Sequence, residues 1–370
     1  MAAIAVRMSL CKVPARRYHC WRLAVHERRL QSLRSCRLSR TPKTVLVTGS
    51  AGHLGEALVR SLRAQHRAVR GVDVKASPFT DRVGSISDRD FVTDVMTGIE
   101  AVIHAATLHK PHVATHEAQA FIDTNVTGTQ VLLDSALASA VRAFVYTSTT
   151  GTFGLAATPI EGAPAAWVTE TLECRAKNIY GVTKLAAENL CELVARRQRL
   201  PVIVLRTARF FPEEDEDAGI RTRYAIANAQ ANELLFRRAD IEDVAAAHLL
   251  AIEQAAAIGF GRYVISATTP FTRKDRVMLR HDAPGVVLRL FPECAKLYEA
   301  RGWTLFPTID RVYVNELARR VLGWRPKYDF RHVLDSLRAG RDFRSPLALA
   351  IGSKGYHAQV FADGPYPVLP

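Results

Sequence analysis

The sequence lacks a long apolar run. Although 48% of its 370 residues are hydrophobic, no stretch approaches the roughly 20 residues that cross a bilayer, which excludes a membrane helix. Cysteine is scarce. The six, at positions 11, 20, 36, 174, 191 and 294, show no CxxC spacing, which excludes a zinc ribbon or a dense disulfide framework and fits free thiols in a reducing compartment. Internal repeats and low-complexity tracts are also missing. Acid is nearly absent from the first forty residues, where Glu27 stands against ten Arg and Lys. That leader carries +9 of the net charge of +14. The rest of the chain is close to balanced, so nucleic acid is not an expected partner despite the overall charge.

The leader is open to two readings. It is Arg-rich and acid-poor, as organellar transit peptides are. It is equally compatible with a disordered leader or an upstream start codon chosen in error, and this second reading is preferred. The expected location is cytoplasmic, with a mitochondrial or other organellar one as the alternative.

From Lys43 onward, short β-branched runs alternate with helical patterns. Thr44–Val47, Val69–Val74, Ala101–Ala105, Phe144–Thr147 and Val202–Leu205 read as strands. Glu56–Gln65, Thr129–Ala140, Tyr180–Arg197 and Ile241–Gln254 read as helices. Such alternation predicts an α/β fold, a Rossmann-type doubly wound parallel sheet covered on both faces. Beyond Gly259 four prolines break up short elements, and Arg262–Ser266 reads as a strand of a smaller C-terminal α/β substrate domain. The expected organisation is a leader at 1–42, a dinucleotide-binding domain at 43–206 to which 239–257 returns, a substrate-binding domain at 207–238 and 258–345, and a tail at 346–370.

Gly49, Gly52 and Gly55 follow the first strand and open a helix. Glycine there lets backbone N–H groups approach a pyrophosphate, with the helix dipole favouring its charge. Asp73 ends the second strand, 18 residues after Gly55. A carboxylate at that point accepts hydrogen bonds from a ribose diol and repels a 2′-phosphate, so the cofactor expected is NAD rather than NADP. Lys75 nearby works against that preference. Tyr180 and Lys184 lie four residues apart, on one helix face. A ketone–alcohol interconversion needs a proton carrier near neutral pH. Bringing a tyrosine from ~10 to about 7 takes ~4 kcal/mol of phenolate stabilisation, which Lys184 and a positive nicotinamide ring could supply in a dry site.

The segments Gly49-Ser50-Ala51-Gly52-His53-Leu54-Gly55, His104-Ala105-Ala106, Asn125-Val126-Thr127-Gly128-Thr129, Tyr146-Thr147-Ser148-Thr149 and Tyr180-Gly-Val-Thr-Lys184 occur in that order. Together with Leu322-Gly323-Trp324-Arg325-Pro326 they make residues 43–335 resemble an extended short-chain dehydrogenase/reductase of the NAD-dependent epimerase/dehydratase type. The resemblance implies that His53 and Leu54 face the pyrophosphate. It places Ser85 and Ile86 near the adenine, where the family usually has an acid before the aliphatic residue. Ala105, Ala106, Leu108 and Asn125 would line the nicotinamide half. Lys184 would bond the nicotinamide ribose, and Thr149 would hold the substrate oxygen with Ser148 as its backup. It also implies a small-molecule substrate and a homodimer.

The pattern departs from the nucleotide-sugar epimerases in two places. Arg209 stands where asparagine is usual, and Arg237–Val244 does not place the expected phosphate-gripping arginine or the histidine. Arg209 is either a substrate-anion contact or the partner of the acidic run Glu213–Asp217. His109, His112 and His116 form a cluster. No metal is expected there, and His109 reads better as a polar substrate contact. The function expected is an NAD-dependent oxidoreductase or epimerase acting on a hydroxyl of a sugar-like or other polar small molecule. The alternative is a non-catalytic NAD-sensing or scaffold protein on the same fold.

Overall fold

The computed structural model describes residues 44–357, 361 and 364–368. The basic leader, with Cys11, Cys20 and Cys36, lies outside the described residues, while Cys174, Cys191 and Cys294 are free thiols.

Among the described residues nine strands occur in chain order: β1 (Thr44–Thr48), β2 (Val69–Asp73), β3 (Arg82–Val83), β4 (Ile99–His104), β5 (Ala143–Thr149), β6 (Ala166–Val168), β7 (Val202–Thr207), β8 (Phe260–Ile265) and β9 (Arg311–Tyr313). Seven form a parallel sheet in the order β3-β2-β1-β4-β5-β7-β8. Helices cover both faces, so the strands read as nearly continuous apolar runs. Within each run, residues still alternate between two cores. Val45, Val47, Ile103, Val145, Ile203 and Leu205 pack against Leu58 and Leu62 of helix His53–Ala64 and Val244 and Ile252 of helix Ile241–Ile258. Leu46, Val102, Phe144, Tyr146 and Val204 pack the other way, against Val131 and Leu132 of helix Gly128–Ala138 and Cys191 of helix Ile179–Gln198.

One expectation needs correcting. The strand expected at 262–266 in a smaller domain is β8, the last strand of the main sheet, in register with β7 from Val202↔Phe260 to Thr207↔Ile265. Gly259, at φ 75°, ends helix Ile241–Ile258 and turns the chain straight back into the sheet. A separate apolar cluster gathers Leu234, Phe236, Phe271, Leu279, Val286, Phe306, Phe330 and Leu334. Beside it β6 and β9 form a two-stranded parallel ladder.

The late Leu322–Pro326 segment has a packing role. Trp324, fully buried, donates its indole N–H to the carbonyl of Asp243 at 3.0 Å. The Asp243 carboxylate accepts the backbone N–H groups of Lys327 and Tyr328. Burial pushes that carboxyl up to about 7, against these two hydrogen bonds.

The carboxyl ends of β1 and β4 mark the point where strand order reverses, where a crevice opens. Its floor is tight: a Cβ on Gly55 would lie 1.9 Å from the Gly49 carbonyl oxygen. Gly55→Ala is therefore expected to cost about 3 kcal/mol or more. Gly98→Ala, at φ 74° with nothing within 4 Å of its added methyl, is expected to cost only ~1–2 kcal/mol of backbone strain. Urea unfolding of the two variants checks the difference.

Candidate active site

The crevice is built from the glycine turn, the loop after β4 and the loop after β5. Gly49 takes φ 74°, and a Cβ there would meet the Ala106 nitrogen at 2.7 Å. Helix His53–Ala64 starts at Gly52 with no side-chain cap. Its first N–H groups therefore remain available to an anion, at the positive end of the helix dipole. The Asp73 carboxylate at the end of β2 accepts the N–H of Ala51 at 3.0 Å and that of Lys75 at 2.9 Å. The predicted pyrophosphate and ribose residues thus share one edge of the sheet. Ile86 is buried beneath Gly128. Ser85 is exposed, its hydroxyl accepting the N–H of Ser87.

Thr48 joins the turn to the opposite strand. Its hydroxyl oxygen accepts the N–H groups of Ala105 and Ala106, both at 3.1 Å. Its proton goes to Nδ1 of His104 at 2.8 Å. His104 Nε2 lies 3.0 Å from the Thr129 hydroxyl, which itself donates to the Asn125 carbonyl. These partners assign a neutral His104 protonated on Nε2. Burial agrees, since it holds the imidazole well below its ordinary value, with Lys184 adding to the effect. Sequence reasoning placed His104 within a motif without a role; Thr48 carried no signal of its own.

Asn125 sits in a π-helical turn, Ile122–Thr127. Its side-chain carbonyl accepts the N–H of Leu108 at 2.9 Å, and its amide donates to the Leu108 carbonyl at 2.9 Å and to Thr183 Oγ1 at 3.0 Å. One buried amide therefore ties the loop after β4 to the helix that carries Tyr180 and Lys184.

That helix, Ile179–Gln198, is capped by the Asn178 side chain. Tyr180 is half-buried and hydrogen-bonded to the Thr149 side chain. Burial pushes its hydroxyl up to about 12, the Thr149 bond pulling the other way. In the bare protein the phenol is thus held protonated, above the value of about 7 that proton transfer at neutral pH calls for. Lys184 is 2% exposed. Its ammonium donates to the Thr147 carbonyl at 2.6 Å and lies 4.1 Å from the Tyr146 ring centroid. Burial lowers it to about 7, against the pull of Glu188 and Cys191.

Ser148 does not serve as a backup for Thr149. It points to the opposite face of β5 and donates to the buried Glu188 carboxylate at 2.5 Å. Arg206 and Arg262 close the same carboxylate at 2.7 and 3.1 Å. Strand alternation, legible in the sequence, already separates positions 148 and 149.

His109 is half-buried at the mouth of the crevice, with ring contacts to His112, Phe211 and Tyr356. Burial holds it well below its ordinary value, helped by His112, His53 and Lys184. Among the described residues, no group of three or more His, Cys, Asp or Glu could hold a metal ion. Of the two roles open to Arg209, the structure shows the ion pair. Its guanidinium meets Asp215 at 2.9 Å and donates to the Glu214 carbonyl at 2.9 Å. Arg237 and Arg238 are paired as well, both with the buried Glu233, at 2.8 and 2.7 Å.

A model of the NAD dependent epimerase/dehydratase family matches residues 45–266, more than half of the chain. The chain belongs to that family. It is 34% identical over 175 residues to the uncharacterized protein y4nG of Sinorhizobium fredii, covering 46% of this chain and 41% of that one. It is 30% identical over 159 residues to a UDP-glucose 4-epimerase of Streptomyces lividans, covering 39% and 45%. The matched region spans less than half the length of these two relatives. A short-chain dehydrogenase/reductase superfamily protein from Agrobacterium tumefaciens, solved with bound NAD, is similar at TM-score 0.57 and 26% identity, over 80% of this chain and 97% of that one. The family is one of NAD-dependent enzymes. Among the described residues no helix is long and apolar enough to cross a membrane.

A buried lysine depressed to about 7 makes stability depend on pH. The unfolded lysine titrates near ~10.4. Between those values the unfolded chain binds the extra proton, so stability rises with pH across the interval. Lys184→Met is therefore expected to raise Tm at pH 6, with a gain that narrows towards pH 9. Thermal unfolding of both proteins across that range checks it, and a gain that widens with pH would contradict the assignment.

Proposed function

We propose that the chain is an NAD-dependent oxidoreductase or epimerase that interconverts a hydroxyl and a ketone on a sugar-like or other polar small molecule. One observation carries this reading: Tyr180, Thr149 and Lys184 come together at the carboxyl end of β5, next to the crevice between β1 and β4. The glycine turn, the uncapped helix start and Asp73 fit NAD, with Gly49, Gly52, His53, Leu54 and Gly55 at its pyrophosphate and Asp73 at its adenosine ribose. Ala105, Ala106, Leu108 and Asn125 border its nicotinamide half. When bound, NAD supplies the hydride acceptor and donor.

The chain's own residues manage the proton. Thr149 holds the substrate oxygen against the Tyr180 hydroxyl. In its protonated state Tyr180 gives a proton to a ketone oxygen; in the reverse direction it takes the proton of an alcohol. Taking it at neutral pH requires positive charge nearby, because burial alone favours the neutral phenol. Lys184 is placed on the same helix to provide part of that charge, and its depressed value lets it change protonation state near neutrality. The Asn125 amide fixes the loop against which these groups act, and His109 borders the substrate side.

Four arginines of the 205–244 segment support a substrate other than a standard UDP-sugar. Arg206, Arg209, Arg237 and Arg238 are each already paired with a protein carboxylate, which leaves none of the four as a ready grip for a diphosphate.

A screen of polar metabolites that follows NAD reduction, together with the absorbance of the purified protein near the reduced-nicotinamide band, tests this reading. Cofactor that never exchanges marks an epimerase, and exchange with free NAD marks a dehydrogenase. Tyr180→Phe is expected to lower kcat by roughly 10²–10⁴-fold while NAD affinity by calorimetry stays within a few fold. Turnover unchanged by that substitution would remove Tyr180 from the chemistry.

A further inference from the structure

The segment after helix Pro346–Ile351 is unlike an ordinary tail. Residues 352–357 return across the carboxyl edge of the sheet and bridge three segments that border the cofactor crevice. At the loop after β7, the Glu213 carboxylate accepts from Ser353 Oγ at 2.9 Å, from the Lys354 N–H at 3.1 Å, from the Gly355 N–H at 3.3 Å and from the Tyr356 hydroxyl at 3.2 Å. The same carboxylate meets His53 of the glycine-turn helix at 2.7 Å. At the glycine turn, the Lys354 ammonium donates to the Ala51 carbonyl at 3.1 Å and pairs with Glu56 at 2.6 Å. At the loop after β4, His112 Nε2 lies 3.3 Å from the Tyr356 carbonyl, and His357 Nε2 lies 3.0 Å from the Pro111 carbonyl. Tyr356 is buried among the rings of His53, His109 and Phe211. Farther on, the Tyr366 hydroxyl donates to Glu216.

The charge pattern of this strap is informative. Glu213 is only 7% exposed at its side chain. Burial alone would raise its carboxyl, yet the His53 and backbone hydrogen bonds bring it down to about 2, so it is an anion saturated by donors. Lys354 is set at the N-terminal turn of a 12-residue helix. That end is the positive end of the dipole, where a cation is disfavoured unless anions gather there. Glu56 supplies one anion. The pyrophosphate that the same uncapped turn fits would supply more at the same place.

We propose that residues 352–357 form a strap over the pyrophosphate end of the cofactor crevice, with Glu213 as its fastening and Lys354 as a countercharge to the bound dinucleotide, so that the strap must lift for cofactor to enter or leave. This inference rests on the NAD-binding reading above and adds to it a cofactor-retaining segment outside the residues matched to the family. A gate that must open in both directions slows association as well as dissociation. A cation touching the ligand slows dissociation chiefly.

Stopped-flow fluorescence with NADH as the probe separates these parts, using the wild-type chain, Glu213→Gln, Lys354→Met and a chain ending at Ile351. Glu213→Gln and the shortened chain are expected to raise both association and dissociation rates about tenfold. Lys354→Met, which removes one anchor of the strap and its countercharge together, is expected to raise the dissociation rate by more than the association rate and to weaken the salt dependence of binding. A thermal scan of each variant shows that the fold is kept, and Glu213→Gln keeps the proposal testable if the shortened chain does not fold. Rates within about twofold of wild type in every folded variant would overturn the strap while leaving NAD binding intact. A wild-type chain that binds no NADH by calorimetry would overturn the strap and the functional reading together.

Discussion

The structure depends on a close approach of backbone to backbone at the crevice between β1 and β4. Gly55 lies under the Gly49 carbonyl, Gly49 lies against Ala106, and Thr48 Oγ1 gathers the N–H groups of Ala105 and Ala106. No side chain beyond hydrogen fits at the two glycines. The turn brings the helix start, Asp73 and the loop after β4 to one edge. His104 and Asn125 extend the same constraint to the helix of Tyr180 and Lys184 through Thr129 and Thr183. A shift at the glycine turn would therefore reach the helix of Tyr180 and Lys184 through this chain of hydrogen bonds.

Burial sets the electrostatics. It raises Tyr180 and lowers Lys184, so both groups are driven towards their neutral forms. This is the cost of burying them. It also means that the sequence-level pairing of a tyrosine with a lysine one turn away is incomplete as chemistry. The lysine's nearest engagements are the Thr147 carbonyl and the Tyr146 ring, and the phenol's partner is Thr149. In the proposed reaction Lys184 acts on the phenol through its charge, with no hydrogen bond between the two.

Much of the fold was legible in the sequence because the strands are apolar on both faces and the glycine turn has a fixed spacing. The strands at 44–48, 99–104, 143–149 and 202–207 fall where the β-branched runs lie. What was not legible depends on partners far along the chain. The strand at 260–265 carries no mark that it joins β7 rather than a second sheet. Ser148 and Thr149 are both hydroxyl residues in one motif, and only the buried Glu188 shows that Ser148 belongs to an internal ion network. Arg209 left two roles open until Asp215 was placed beside it.

By itself, the sequence determined the order of the sheet's building blocks, the glycine turn and the tyrosine–lysine spacing, because these follow from local rules: side-chain period, backbone freedom and helical geometry. The tertiary structure decided which hydroxyl faces the crevice, which arginines are already paired with carboxylates, and where residues 352–357 lie. Those outcomes depend on contacts between segments up to some three hundred residues apart, as between Lys354 and Ala51. Burial and charge pairing at that separation have no local signature, so nothing in the sequence shows that the tail fastens to the glycine turn.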